Sequence, residues 1–400
     1  MQSGPPSFES SLTAIRIVVV VAHLHLAVWA LRRWGRSRVR AAGIGFGLLV
    51  AACLGGPSDL LDWDQLLFGV QAPVPWQLAA TVWVAGVFGT YIVCLAYSGW
   101  RRLGRFAQRR SSDLGLVPIL DNPQPAGPMT RRVFATAVAA PFVMAGYGTF
   151  AGRKQFDLRE IDMAIPGLAE DLDGLRVAQI TDLHCSRYLS PADVERVVAM
   201  VNETRPHVTL VTGDLITTPE DPLEPCIDVL AGLKADSGVW GCLGNHERYA
   251  LCEHRATKYA GARGIRFLRG EQEELRFGQA RLNLAGVDYQ RKGSPYLRGA
   301  KSLMRDDALN LLLSHNPDVF PVAADLGYDL VVSGHTHGGQ VTVEIVEQWA
   351  NPGRFLTPFV AGEYRIRDSA LYVSRGIGTV NLPMRIGALP EVTLLRLRRA

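Results

Sequence analysis

Leu330-Val-Val-Ser-Gly-His-Thr-His-Gly-Gly-Gln340 is the stretch on which the reading of this chain turns. An apolar, β-branched run of strand length stops abruptly, and two histidines follow between glycines. Histidines in that setting are poor core material, so they are expected at a strand end and not in a packed interior. Outward from there the same design recurs upstream. Leu175 to Ile180 (LRVAQI) ends in Thr181-Asp182-Leu183-His184, and Val208 to Val211 ends in Thr212-Gly213-Asp214. Gly238 to Leu243 (GVWGCL) ends in Gly244-Asn245-His246-Glu247, and Leu309 to Leu313 (LNLLL) ends in Ser314-His315-Asn316-Pro317. Amphipathic stretches separate the runs. Ser190-Pro191 makes an N-cap and N1 pair, after which Val194, Val197, Val198 and Val201 fall on one helix face. Alternating strands and helices predict a layered α/β domain. In such domains ligands gather at the carboxyl ends of the strands.

The residue types are as informative as their places. Carboxylate, imidazole and amide carbonyl are oxygen and nitrogen donors suited to Mn, Fe or Zn. Asp182, His184, Asp214, Asn245, His315, His335 and His337 are the candidate metal ligands, with His246 beside them. Two carboxylates and several imidazoles converging without cations would leave charge poorly compensated, so the cluster predicts two divalent metal ions. One carboxylate can bridge a pair of ions about 3.5–4 Å apart, and such a pair generates hydroxide near neutral pH and clamps phosphoryl oxygens for in-line displacement. Each piece alone has a bland reading. Gly213-Asp214 suits a turn, Asn245-His246 a helix cap, and His315-Asn316-Pro317 another. The ordered set, each member ending a strand, is what points to a site.

The order D-x-H, GD, GNH followed by an acidic residue, a lone H and GHxH, across about Ile180 to Gln340, resembles the calcineurin-like metallophosphoesterase superfamily. The longer GHTHGGQ run resembles its membrane-associated bacterial YkuE-like branch, as does the tail Tyr372-Val-Ser-Arg-Gly-Ile-Gly with Pro383, Arg385 and Pro390-Glu391. The resemblance covers about Asp171 to the C-terminus. It implies a four-layer α/β fold, two mixed β-sheets sandwiched between helices, and hydrolysis of phosphodiester or pyrophosphate bonds. It further implies that Asp182, His184 and His337 hold one metal, that Asn245, His315 and His335 hold the second, and that Asp214 bridges both. His246 would stand outside the metals, donating a proton to the leaving group or stabilising the phosphoryl transition state. Glu247 stands where many relatives have Asp and is expected to orient His246. Cys185 is expected to be a small filler pointing away from the metals. Arg187, Tyr188, Arg248 and Tyr249 are candidate substrate contacts at the site mouth.

The 400 residues suffice for one large domain and a second module. Four apolar segments, 12–31, 41–56, 78–97 and 133–151, are candidate membrane spans. The expected organisation is a membrane region over 1–152, a linker over 153–170 and the metallophosphoesterase domain over 171–400. The excess of basic residues, net charge +4, sits largely in arginines flanking the apolar stretches, from Arg32 to Arg40 and from Arg101 to Arg132. Placed there, arginines set membrane topology more often than they bind phosphate backbones. The positive-inside rule puts both basic loops in the cytoplasm and the catalytic domain on the extracytoplasmic side of the cell membrane. Thr130-Arg-Arg-Val-Phe134 also resembles a twin-arginine export signal, which would deliver the same side. Six cysteines without CxxC spacing argue against a thiolate zinc site, and a Cys242–Cys252 disulfide stays open for an exported domain. The expected partners are the membrane and a phosphoester substrate, a lipid-linked one being a candidate. No basic, aromatic-interleaved patch marks the domain, so nucleic acid is not an expected partner. The alternatives are a non-catalytic metal-binding membrane scaffold or sensor, a nuclease-type phosphodiesterase, and a transporter-like role for the spans.

Overall fold

The computed structural model describes residues 21–22, 25, 73–113, 131–291, 296–342, 351–355 and 357–400. It divides into two compact units, Met1–Phe150 with Asn381–Pro383, and Ala151–Val380 with Met384–Ala400.

In the first unit, helix α1 (Val74–Asp113) is followed by α2 (Arg131–Phe150). Among the described residues one helical stretch, Val74–Leu103, is long and apolar enough to cross a membrane, and it contains the third expected span. Helix α2 covers the fourth, ending at Phe150. The two pack closely where α1 carries a glycine: a Cβ on Gly86 would lie 2.4 Å from the Phe142 ring. Small residues of this kind let helix backbones approach in apolar surroundings. The Thr90 hydroxyl also donates to the Val138 carbonyl across the pair, at 3.2 Å. The expected spans 12–31 (apart from helical Val21, Ala22 and His25) and 41–56 lie outside the described residues, as do the Arg32–Arg40 loop and the Pro118–Pro128 stretch.

The second unit is built on two six-stranded mixed sheets. The first has the order β1 (Asp157–Ile165), β12 (Glu391–Arg399), β2 (Arg176–Ile180), β3 (Val208–Thr212), β4 (Val239–Cys242) and β5 (Ile265–Phe267). The second has the order β10 (Gly362–Ile366), β11 (Ser369–Val373), β9 (Leu330–Ser333), β8 (Leu309–Leu313), β7 (Ala280–Gly286) and β6 (Glu271–Phe277). Strands β2 to β5 run parallel, as do β7, β8, β9 and β11, with β12, β10 and β6 supplying the antiparallel pairs. Val177, Leu210, Leu284, Leu311, Val332 and Leu395 meet in a core between the sheets. Helices α3 (Pro191–Glu203), α4 (Leu223–Leu230) and α6 (Glu253–Gly261) cover the other face of the first sheet, burying Val194, Val197, Ile227 and Ala256. Helix α7 (Phe320–Leu326) covers the second sheet through Phe320 and Ala323. Helix, sheet, sheet, helix is the four-layer order expected from the resemblance. Ser190 caps α3 as its sequence foretells, accepting from the Asp193 amide while the Asp193 carboxylate accepts from the Ser190 amide.

One expectation needs correction, and one open possibility closes. Residues 153–170 are not a linker: Asp157–Ile165 form edge strand β1, parallel to β12 from Asp157 opposite Glu391 to Ile165 opposite Arg399. An edge strand with one solvated face carries charges, here Asp157, Arg159, Glu160 and Asp162, and so reads as polar connection. Cys242 and Cys252 do not pair. Cys242 lines the core between the sheets, Cys252 packs under the helices, and both are free thiols.

Candidate metal centre

Every predicted site residue stands just beyond the carboxyl end of a strand. Asp182 and His184 follow β2, Asp214 follows β3, and Asn245 and His246 follow β4 and open the short helix α5 (Asn245–Tyr249). His315 follows β8, and His335 and His337 follow β9. The first five come from one sheet and the last three from the other, so the cluster sits where the two sheets meet. Backbone hydrogen bonds weld the loops together. The Asp182 amide donates to the Gly213 carbonyl (3.0 Å), the His184 amide to Asp214 (3.0 Å) and the Gly378 amide to Asp182 (2.7 Å). The Gln179 amide group ties the sheets directly, donating to the Ser333 carbonyl at 3.0 Å and the Thr212 hydroxyl at 2.8 Å.

The structure brings the predicted side chains together. Their donor atoms form three groups, each within 4.8 Å: Asp182 with His184 and His337, His184 with Asp214 and His246, and Asp214 with His315 and His335. His184 Nε2 and His337 Nε2 are 3.2 Å apart, and His337 Nε2 is 3.3 Å from Asp182 Oδ1. Asp214 Oδ2 lies 3.1 Å from His315 Nε2 and 3.6 Å from His184 Nε2, and so faces both halves of the cluster. Donors held by one cation at about 2.1 Å lie roughly 3.0–3.4 Å from one another; the His184–His337, His337–Asp182 and Asp214–His315 pairs meet that range, whereas His184 Nε2 lies 3.6 Å from Asp214 and 4.0 Å from Asp182. Asn245 Oδ1 is buried with no hydrogen-bond partner, as an atom reserved for a cation would be.

The backbone is strained around this cluster. Asp182 (φ 52°), His184 (45°), Asp214 (54°), His335 (74°) and His337 (53°) are all left-handed, a conformation that costs a non-glycine residue about 1–2 kcal/mol. Such strain gathers at functional sites, where surrounding structure over-determines it. Gly334 shows the crowding, since a Cβ there would lie 2.2 Å from Asp182 Oδ2.

The electrostatics fit divalent cations. Burial, reinforced by Asp214, pushes the Asp182 carboxyl up to about 6 against the pull of His315. Burial also opposes charge on Asp214, but His315 and His246 outweigh it and hold this carboxyl well below the usual range. Burial opposes a charge on His315 too, yet Asp214 and Asp182 carry its pKa up to about 10. Burial holds His184 and His337 well below the usual imidazole value and takes His335 down to about 3. His184, His335 and His337 are thus held neutral, the form in which imidazole ligates metal, whereas His315 would have to release its proton to do so.

Thr217 and Tyr289 escaped the sequence reading, Arg385 was noted there without a role, and Glu247 has a different job from the one expected. Glu247, fully buried, does not orient His246. Its Oε2 accepts from the Asp214 amide (3.0 Å) and the Gly244 amide (2.7 Å), and its Oε1 from the Leu215 amide (2.6 Å). The Thr217 carbonyl orients His246 instead, 2.8 Å from its Nδ1. Tyr289, in the loop after β7, sets its ring 5.7 Å from His335 and 6.4 Å from His315. Arg385, fully buried, donates to the carbonyls of Gly378 (3.0 Å), Arg375 (2.8 Å), Ala388 (3.1 Å) and His337 (3.3 Å). No local pattern gives these residues their roles, because their partners are backbone carbonyls or rings distant in sequence. Of the candidate mouth residues, Arg187, Arg248 and Tyr249 are exposed and Tyr188 is half-buried. Cys185 packs into the core away from the cluster. Arg385→Ala should free the loop carrying His337 and weaken divalent-metal affinity about 10–100-fold, as losses behind a ligand usually do. Metal titration of the stripped protein measures it.

Residues 175–339 match the calcineurin-like phosphoesterase family. This chain belongs to the calcineurin-like metallophosphoesterase superfamily. It is a metal-dependent phosphohydrolase of the YkuE-like branch. It is 28% identical over 288 residues to the uncharacterized metallophosphoesterase YkuE of Bacillus subtilis (strain 168), covering 68% of this chain and 98% of that one. A Danio rerio transmembrane protein with metallophosphoesterase domain is 26% identical over 331 residues, covering 78% of this chain and 72% of its own. The phosphodiesterase YaeI of Escherichia coli (strain K12) is 27% identical over 277 residues, covering 67% of this chain and 99% of its own. Family and cluster together point to divalent metals at this site.

Proposed function

We propose that this chain is a membrane-anchored, two-metal phosphoesterase that hydrolyses phosphodiester or pyrophosphate bonds, with a lipid-linked phosphoester as the favoured substrate class. The observation carrying this reading is Asp214, whose carboxylate faces His315 on one side and His184 on the other. On this reading Asp182, His184 and His337 hold one ion, Asn245, His315 and His335 the other, and Asp214 both. When bound, a Mn, Fe or Zn pair supplies Lewis-acid charge to the phosphoryl group and acidifies water. The protein's own groups do the rest. The Thr217 carbonyl accepts from His246 Nδ1–H and so turns Nε2 of that ring toward the site, where a protonated imidazole can give its proton to the departing oxygen. The Asp214 carboxylate accepts from the His246 amide at 2.9 Å, tying this acid to the cluster it serves. The name of the YaeI relative supports diester chemistry, and that of the Danio rerio relative supports the membrane setting. The arginine distribution supports a multi-pass protein of the cell membrane with its catalytic unit on the extracytoplasmic side.

The test uses the full chain, stripped of metal. Hydrolysis of bis(p-nitrophenyl) phosphate is expected to be undetectable in chelator and restored by Mn, Zn or Fe(II). Protein that binds its full complement of metal yet turns over no diester, pyrophosphate or lipid-linked phosphoester would overturn the reading in favour of a metal-loaded scaffold. Protease accessibility in intact cells separates the two orientations.

A further inference from the structure

The loop that follows His246 breaks two ordinary rules at one residue. Helix α5 ends in a Schellman arrangement: the Leu251 amide donates to the Arg248 carbonyl at 3.1 Å, and the Cys252 amide to Glu247 at 3.0 Å. The left-handed position of that motif normally belongs to glycine, which adopts it without strain. Here it is Leu251, at φ 51°. A leucine could be justified there by packing, but its side chain is 87% exposed. Tyr249, two residues before it, is 63% exposed. Among the described residues of the catalytic unit, Leu158 on strand β1 is the one other large apolar side chain left exposed. The fold therefore bears backbone strain to hold an isobutyl group in water a few residues beyond His246. A strained, conspicuously apolar position of this kind is a reason to look for a ligand.

The patch is continuous with the site. The Tyr249 ring meets His246 edge-on with centroids 5.6 Å apart. Tyr289, whose phenol lies near that of Tyr249, carries the surface across to His335 at 5.7 Å. The wall thus runs from the proton donor assigned to the departing oxygen, over two aromatic rings, to the far half of the cluster.

We propose that Tyr249, Leu251 and Tyr289 form an apolar lip that binds the hydrocarbon or ring portion of the departing alcohol, selecting phosphoesters whose leaving group is apolar close to the phosphorus. This rests on the phosphoesterase reading, because it places the leaving group at His246. It goes beyond that reading in naming what the leaving group is made of and which residues recognise it. The wall suits an apolar occupant because what it exposes is mostly aromatic ring and isobutyl group, from Tyr249 and Leu251 with half-buried Tyr289 behind them. Each methylene laid against it leaves water.

The experiment uses the full chain in lipid nanodiscs, loaded with Mn. Methyl, butyl, hexyl and phenyl phosphate are tested as competitive inhibitors of bis(p-nitrophenyl) phosphate hydrolysis, and each is also tested for raising the thermal midpoint, which needs no turnover. In the wild type, inhibition should tighten about tenfold from methyl to hexyl phosphate, for a chain partly removed from water. Tighter binding of phenyl than hexyl phosphate would assign a ring, and the reverse a chain. In Leu251→Gly and in Tyr249→Ser the methyl-to-hexyl ratio should fall to about twofold or less. Leu251→Gly should melt at or above the wild-type temperature, since glycine suits the left-handed position; a purely structural leucine would give the opposite result. Inhibition independent of chain length in the wild type, or a dependence that survives undiminished in both variants, overturns the lip. If metal-loaded protein hydrolyses no phosphoester, the phosphoesterase reading fails instead, while the thermal shifts still report whether the lip binds apolar phosphates.

Discussion

Asp214→Asn is expected to lower kcat/KM for an aryl phosphodiester by about a thousandfold or more while leaving the fold intact. The substitution is nearly isosteric, and the amide oxygen can still accept from the His246 backbone amide, which the Asp214 carboxylate now does at 2.9 Å. What disappears is the negative charge between two halves of the cluster. Asp214 Oδ2 is 3.1 Å from His315 Nε2 and 3.6 Å from His184 Nε2. An amide offers one neutral oxygen and, on its other arm, an NH2 that repels both cations and protonated imidazole. Groups behind a ligand typically cost about 10–100-fold when lost, and a carboxylate proposed to touch both ions must exceed that. The His315 imidazole gives an independent readout. Its pKa is carried up to about 10 by Asp214 and then Asp182, against burial. With the Asp214 charge gone, metal-free His315 should titrate at lower pH in the variant, visible by NMR whether or not the protein turns anything over. Metal analysis should show loss of at least one bound ion. Wild-type activity in Asp214→Asn would remove the two-metal proposal outright.

How much of this could be read from the chain follows from what each feature requires. The strands that carry the cluster were legible because parallel strands buried on both faces must be continuous apolar runs. They stop where the chain turns to present polar groups, as at Ile180–Thr181 and Leu313–Ser314. The convergence of those ends was legible as well, since a layered α/β domain gathers them at one edge. Strand β1 was not. Its partner β12 lies at the other end of the chain, and a half-solvated edge strand has the composition of a linker. The support around the cluster was illegible for a related reason. Thr217 acts through its carbonyl, Arg385 through four carbonyls and Glu247 through three amides, and backbone partners leave no signature in side-chain identity. Leu251 is legible only in retrospect: a leucine after a five-residue helix attracts no notice until its φ and its exposure are both known.

Glu247 carries the largest expected effect on stability. Glu247→Ala should cost about 3–5 kcal/mol, and lower the thermal midpoint of the catalytic unit by about 10 °C. The carboxylate is fully buried and accepts three backbone N–H groups, from Asp214, Leu215 and Gly244, at 2.6–3.0 Å. Alanine strands all three donors in a place water cannot reach, and each unsatisfied buried donor costs about 1–3 kcal/mol. Against this stands relief from burying a charge: burial, then Asp214, raises the Glu247 carboxyl above its ordinary value. That relief is smaller than the loss, because the same three donors are what keep the carboxylate tolerable there. Glu247→Gln separates the contributions. Its carbonyl oxygen can take the two amides now served by Oε2, while its NH2 must face the Leu215 N–H, donor against donor. The glutamine variant should therefore lose about half as much stability as the alanine variant. Both should also bind metal more weakly, because the amide of Asp214 and the turn at Gly244 are positioned by this one side chain. Thermal unfolding with and without Mn distinguishes the two effects. A deficit already present without metal lies in the stranded amides, and any further deficit that appears only with Mn lies in weakened metal binding. The three hydrogen bonds predict that most of it is present without metal. An alanine variant as stable as the wild type would show that Glu247 does not pin the loops beneath the cluster.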